Sequence, residues 1–269
     1  MLGDRLPAFG RKPYFADENN GIRLYRADSL KLLEELPDES IDMIFADPPY
    51  FLSNDGITCK AGEMVSVNKG KWDKSPGIES IHEFNTAWLE KCQRVLTKNG
   101  TIWVSGTTHV IFSVGLAMQQ LRYKVLNDIT WFKTNAPPNL SCRYFTHSTE
   151  HVIWAAKSKK SKHKFDYKLM KEINGGKQMR DVWNITAPGK GEKQHGKHPT
   201  QKPLALLERL ILASTEEGDV TLDPFAGSGT TALASLRLRR RSLGIELDKD
   251  YLALARKRLK EAAKQPRLL

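Results

Sequence analysis

Short apolar runs alternate with segments of helical hydrophobic spacing along almost the whole of this 269-residue chain. Strand-like runs fall at 22–26, 41–46, 101–104, 220–223 and 241–248. Between and after them lie helical patterns: Leu30, Leu32, Leu33 and Leu36 behind the polar pair Asp28-Ser29; Ile81, Phe84, Trp88, Cys92, Val95 and Leu96 on one face; and segments at 110–121, 203–214, 231–238 and 249–263. Strands separated by helices need crossover connections, which makes the sheet mainly parallel. Residues 123–132 and 151–155 have no helical pattern between them and are expected as an antiparallel pair. Gly100 is expected to end the helix before it, and 51–76 reads as one long irregular loop.

The run 41–46 ends in Asp47-Pro48-Pro49-Tyr50. The carboxyl end of a parallel strand is where open α/β sheets bind ligands. Two prolines fix φ and remove two N–H donors. What remains is acceptor-rich: the Asp47 carboxylate, free backbone carbonyls and the ring of Tyr50. Such a turn suits a planar ring bearing an amino group, with the amine donating to the acceptors and the ring stacking on Tyr50.

A second strand, 220–223, runs into Asp223-Pro224-Phe225-Ala226-Gly227-Ser228-Gly229-Thr230-Thr231. Its alternate glycines let a ligand approach the backbone, and the helix that follows offers free N–H groups. It is neither a P-loop, which needs G-x-x-x-x-G-K-[ST], nor a full G-x-G-x-x-G. The strand after it ends at Glu246, roughly 20 residues beyond the glycines, where an acid typically meets ribose hydroxyls. Asp248 is the better candidate to cap the final helix, which leaves Glu246 for the ribose.

Together with His198-Pro199-Thr200-Gln201-Lys202-Pro203, the two turns resemble the amino-methyltransferases that act on DNA. The order, catalytic motif before cofactor motif with a recognition region between, is that of the β group. The closest likeness is to the DpnA-like adenine methyltransferases of bacterial restriction systems. The likeness runs from about residue 22 to residue 259. It implies a Rossmann-like α/β fold and S-adenosylmethionine as cofactor. Catalysis would rest on Asp47, Pro48, Pro49 and Tyr50. The cofactor would lie along Asp47, Asp223, Phe225, Ala226, Gly227, Ser228, Gly229 and Thr230, with Thr230 and Lys202 at its methionine carboxylate and Glu246 at its ribose. Asp28 would meet the adenine amino group, cap the first helix, or do both. In the family an Asp in the first position of the tetrapeptide goes mainly with adenine N6 and a Ser with cytosine N4. Adenine methylation within a restriction–modification system is therefore expected, with GATC as the suspected sequence. Cytosine N4, RNA, or an inactive DNA-binding member of the fold are the alternatives.

Charge agrees with a polyanionic partner: Lys and Arg exceed Asp and Glu by 11, and DNA, single- or double-stranded, is the partner expected. Basic and glycine-rich residues gather at 157–197, between a catalytic half at 1–156 and a cofactor half at 198–269. This segment reads as a recognition insertion. Lys159, Lys160 and Lys162 would neutralise phosphates, and Arg143, Asn174, Gln178 or Arg180 would reach base edges. The three cysteines are far apart with no C-x-x-C, so no metal and no disulfide framework are expected, and a reducing cytoplasm fits. No run is apolar enough for a membrane span or signal segment. Homodimerisation stays open.

Overall fold

The strand–helix alternation becomes one nine-stranded sheet with helices on both faces. The structure is a computed structural model, which describes residues 6–51, 57–60, 63–66, 77–196 and 198–264. The strands are β1 (Phe15–Asp17), β2 (Ile22–Arg26), β3 (Ile41–Ala46), β4 (Ile57–Lys60), β5 (Glu63–Ser66), β6 (Leu96–Gly106), β7 (Lys124–Phe132), β8 (Thr149–Ala156), β9 (Val182–Asn184), β10 (Val220–Asp223) and β11 (Arg241–Glu246). The helices are α1 (Ser29–Glu35), α2 (Ile78–Val95), α3 (Ile111–Gln120), α4 (Tyr167–Ile173), α5 (Leu204–Ser214), α6 (Thr230–Arg237) and α7 (Lys249–Ala262). In space the sheet reads β1-β2-β11-β10-β3-β6-β8-β7-β9, and β4 and β5 form a separate hairpin.

The five strands from β2 to β6 are parallel neighbours. β8 is antiparallel to both β6 and β7, as the missing helix between 132 and 151 demands. Side chains alternate across the sheet. Ile44, Ala46, Ile102 and Val104 enter one core with α1, α2 and α3. Met43, Phe45, Trp103 and Trp154 enter a second core under α4 and α5. There the Trp103 and Trp154 rings stack with centroids 4.5 Å apart. α6 and α7 close over β2 with Leu233, Leu252 and Leu259.

The order of the strands fixes the position of the site. From β10 the chain crosses through α6 to β11 on one side. From β3 it crosses through α2 to β6 on the other. No crossover covers the gap between the adjacent carboxyl ends of β10 and β3, which is the topological switch point of the sheet.

Three expectations change. Helix α2 ends at Val95, the backbone of Leu96 is already extended, and Gly100 lies inside β6 rather than at a helix stop. Pairing with β3 jumps from Leu96 to Thr101, and a Cβ at Gly100 would come within 3.1 Å of the Asp42 carbonyl. Gly100 thus serves close strand packing. Residues 157–197, read from their composition as polar and basic, also take part in the main fold. They supply β9 to the sheet edge and bury Met170, Trp183 and Ile185 in the second core. The expected loop at 51–76 contains the β4–β5 hairpin, and the rest of 52–76 lies outside the described residues.

Candidate active site

β3 and β10 deliver their terminal acids, Asp47 and Asp223, to the switch point, but the two differ in surroundings. Asp223 is buried. It accepts from Thr231 Oγ1 (2.5 Å) and from the Phe225 N–H (3.0 Å). Burial pushes its carboxyl up to about 7 against those two bonds. It organises the glycine turn and does not face the crevice. Asp47 lines the crevice with Pro48, Pro49 and Tyr50.

The crevice has a volume of about 650 Å³ and runs from Asp47 to Asp28 and Glu246. Phe225, Leu30, Phe84 and Leu247 give it apolar walls. Asp28 caps α1, its carboxylate accepting from the Lys31 N–H (3.1 Å), and it also lines the crevice. Asp248 caps α7 through the N–H groups of Asp250 and Tyr251, which leaves Glu246 to the crevice. Glu246 is not idle, however. Its two oxygens accept the N–H groups of Gly227 (2.8 Å) and Asp248 (2.7 Å). Burial raises its pKa, and those same N–H groups oppose the rise. The Leu247 N–H also acts on this carboxylate; with about four lone-pair sites, it keeps acceptor capacity for a further donor. Gly227 is left-handed (φ 49°), and a Cβ there would meet His198 Nε2 at 2.9 Å. The crevice is therefore a glycine-floored, partly apolar cleft with carboxylate acceptors at one end, a lining that fits an adenosine carrying a positively charged sulfur.

The remaining residues of the turn do other work. Gly229 is also left-handed (φ 72°), but its missing Cβ makes room for Ala255 of α7 at 2.8 Å. Ser228 and Thr230 face Arg258, whose Nη1 lies 3.0 Å from both hydroxyls. Ala226 continues the strand by donating to the Ile245 carbonyl. These four residues do not line the crevice itself and shape it from behind.

Lys202 is tied to the catalytic turn. It is only 5% exposed and reaches Asp47 Oδ2 at 2.6 Å. Asp47 Oδ1 accepts from Tyr50 Oη (2.5 Å) and Ser105 Oγ (2.6 Å). Behind them lies Glu150, 8% exposed, which Lys133 binds through Oε1 while Oε2 lies 3.6 Å from Lys202. Burial lowers the Lys202 ammonium, but Asp47 and Glu150 outweigh it and hold its pKa above the ordinary lysine value. Burial raises Glu150, yet Lys202 and Lys133 outweigh that and hold it below the usual carboxylate range. Burial, with both acids, pushes the Tyr50 phenol well up. The Tyr50 ring borders the crevice, with Lys202 Nζ 5.2 Å from its centroid. Glu150, Lys133 and Ser105 were not legible as site residues. Their only signal is that each lies within one residue of a strand end on the crevice side.

The basic candidates separate by end of the sheet. β8 runs opposite to β6, so the chain leaves it where β6 begins. Ser161 Oγ donates to the Lys98 carbonyl and the Lys162 N–H to Asn99 Oδ1. Lys159, Lys160 and Lys162 therefore sit at the amino end of β6, about 20 Å of strand from Ser105 at ~3.3 Å per residue. Gln178 and Arg180 border a separate cavity of about 500 Å³ floored by Trp103, Trp154 and Trp183. Arg143 alone lies on the crevice side. It is in the loop 133–148 between β7 and β8, beside Tyr144 and Phe145, the latter 96% exposed.

An open α/β sheet with an acid-bearing proline turn and a glycine turn facing each other across its switch point is the framework of a Rossmann-like methyltransferase. Residues 41–257 match the DNA methylase family of N6/N4 methyltransferases, and the chain belongs to that family. It is 57% identical to the Type II methyltransferase M2.DpnII of Streptococcus pneumoniae over 249 residues, 92% of each chain. It is equally 57% identical to the Type II methyltransferase M2.LlaDCHI of Lactococcus lactis subsp. cremoris, covering 94% of this chain and 93% of the relative. Among solved structures it resembles the M1.HpyAVI–SAM complex with a TM-score of 0.65 and 28% identity, covering 88% of this chain and 98% of the other.

Proposed function

We propose that this DNA methylase transfers a methyl group from S-adenosylmethionine to the N6 amine of adenine in DNA, as the modification enzyme of a restriction–modification system. One observation carries the reading. Asp47, held by the Ser105 and Tyr50 hydroxyls beside Pro48 and Pro49, faces a crevice whose far end holds Asp28 and Glu246. Acceptors for an amine and acceptors for an adenosine thus share one cleft.

An exocyclic amine is a weak nucleophile because its lone pair is delocalised into the ring. Asp47 accepts one N–H and the Pro48 carbonyl the other, which turns the lone pair out of conjugation and toward the reacting methyl. Tyr50 and Ser105 fix the carboxylate from behind. Asp28 and Glu246 hold the adenosine portion and Gly227 lets it approach the backbone. The bound cofactor supplies a sulfonium-activated methyl group. Positioning and fixed dipoles supply the acceleration, and no covalent bond to the protein is needed. The target base must leave the stack of a duplex or arrive single-stranded.

Loop 133–148 carries the DNA contact nearest the site, with Arg143 for phosphate or base and the Tyr144 and Phe145 rings for stacking. Among the described residues no helix is long and apolar enough to cross a membrane, and the protein works beside DNA in the bacterial cytoplasm. The test is chemical. The enzyme is incubated with labelled S-adenosylmethionine and duplex or single-stranded DNA with and without GATC, and the modified nucleoside is identified after digestion. N6-methyladenine confined to GATC substrates supports the reading. N4-methylcytosine overturns the choice of base, and label in every sequence alike overturns the choice of site.

A further inference from the structure

Lys202 poses a problem for the chemistry just described. It occupies Asp47 Oδ2 at 2.6 Å, the oxygen left for the target amine once Tyr50 and Ser105 have taken Oδ1. One lone pair of Oδ2 remains, so the amine can enter. A cation held there nevertheless drains the acceptor and opposes the positive charge that develops on the amine nitrogen as the methyl arrives. The network provides somewhere for it to go. Glu150 Oε2 is already 3.6 Å from Lys202 Nζ, and its other oxygen is anchored by Lys133. Moving the ammonium by about 1 Å makes that contact an ordinary charge-assisted bond and frees Oδ2. The charges balance in both arrangements, two lysines with two carboxylates, so the exchange leaves no ion unpaired in the buried site.

We propose that Glu150 is a positioning residue that takes Lys202 from Asp47 when the target amine binds. In the free enzyme Lys202 holds the Asp47 carboxylate in place. In the reacting complex it rests on Glu150, and the amine faces an acceptor with undivided charge. The inference rests on Asp47 holding the amine.

The test compares Glu150→Gln, Lys202→Met and the double variant by single-turnover methylation and by calorimetric titration with S-adenosylmethionine. In Glu150→Gln the lysine stays on Asp47. The methyl-transfer rate should then fall by about tenfold or more, the size expected when one charged hydrogen bond is lost, while cofactor affinity holds within about twofold because Glu150 does not border the adenosine end. Adding Lys202→Met removes the cation that Glu150 was needed to withdraw, so the double variant should be faster than Glu150→Gln alone. A purely structural Glu150 predicts the reverse order, and that result overturns the proposal, as does a wild-type rate in Glu150→Gln. Should Glu150→Gln fail to fold, Glu150→Asp keeps the charge but draws it back by one methylene. It should be slow with an unchanged melting temperature, and wild-type turnover in it would be contradictory. Failure of the underlying reading shows separately, as methylation persisting in Asp47→Ala.

Discussion

Two residues at the adenosine end of the crevice make the sharpest predictions at the scale of single side chains. Glu246→Ala removes the proposed ribose acceptor and, with it, the anchor for the Gly227 N–H. Loss of a hydrogen bond to a charged group costs about 1.5–3 kcal/mol, so calorimetry should show S-adenosylmethionine binding weakened by one to two orders of magnitude on that estimate. His198, over Gly227 and against Tyr251 at 4.2 Å, is held neutral because burial lowers its pKa from 6.5 to about 4. A depressed pKa in the folded state means that stability is full above about 6.5 and is lost as pH falls through 4, at up to about 1.4 kcal/mol per pH unit. Asp223, raised by burial from 3.8 to about 7, has the opposite sign. Its contribution is full below 3.8 and is lost as pH rises through 7. The two slopes oppose one another in the acid range, so the difference between wild type and His198→Gln isolates the histidine. Thermal melts from pH 4 to pH 7 should show the variant losing less stability toward acid than the wild type. Parallel curves would mean that His198 titrates normally.

At the scale of elements, the two glycines of the β10–α6 turn look equivalent in sequence and are not. Gly229→Val sets a β-branched side chain at φ 72° against Ala255. It should destabilise by about 1–3 kcal/mol for the backbone alone in denaturant titrations, and cofactor affinity should suffer little in the protein that stays folded. Gly227→Val should lower cofactor affinity as well, because its Cβ enters the cleft beside His198. Equal cofactor affinity in the two folded variants would place the cofactor away from Gly227. The loop 133–148 and the lysines after β8 offer the same kind of contrast. Arg143→Ala should lower the slope of log affinity against log salt by about one, whereas changing Lys159, Lys160 and Lys162 to Ala together should leave it unaltered. A flattened slope in the triple variant would put DNA at the amino end of the sheet. These distinctions were not legible in sequence. Spacing shows that a strand meets a turn, as it did for Asp47 and Gly227, but the end of the sheet at which a basic run emerges depends on whether β8 is parallel or antiparallel to β6. For the same reason Glu150 and the bond from Lys202 to Asp47 were missed, since Glu150 meets Tyr50 and Lys202 meets Asp47 through pairings between segments about a hundred residues or more apart.

For the whole molecule, the alternation of apolar runs and helical segments was enough to specify a mainly parallel sheet with an antiparallel pair, because burial on both faces leaves few other ways to pair such strands. The assembly of the cofactor half against the catalytic half follows from it. β10, from the last quarter of the chain, slots beside β3, from the first, and brings the glycine turn to the acid turn. α4 and β9 were hidden by the polar and basic residues around them, which cover only the solvent side of Met170 and Trp183. The central claim is that this junction exists to hold an amine on Asp47 opposite an adenosine-bound methyl. The most direct measurement is single-turnover methylation of DNA by Asp47→Asn alongside cofactor titration of the same protein. The amide keeps the shape of the carboxylate but surrenders its charge and half its acceptors. Methyl transfer should fall by at least two orders of magnitude, a loss of about 2.7 kcal/mol or more in transition-state stabilisation, while S-adenosylmethionine binds as before. Near-normal transfer by Asp47→Asn would contradict the account, and so would an equal loss of cofactor binding.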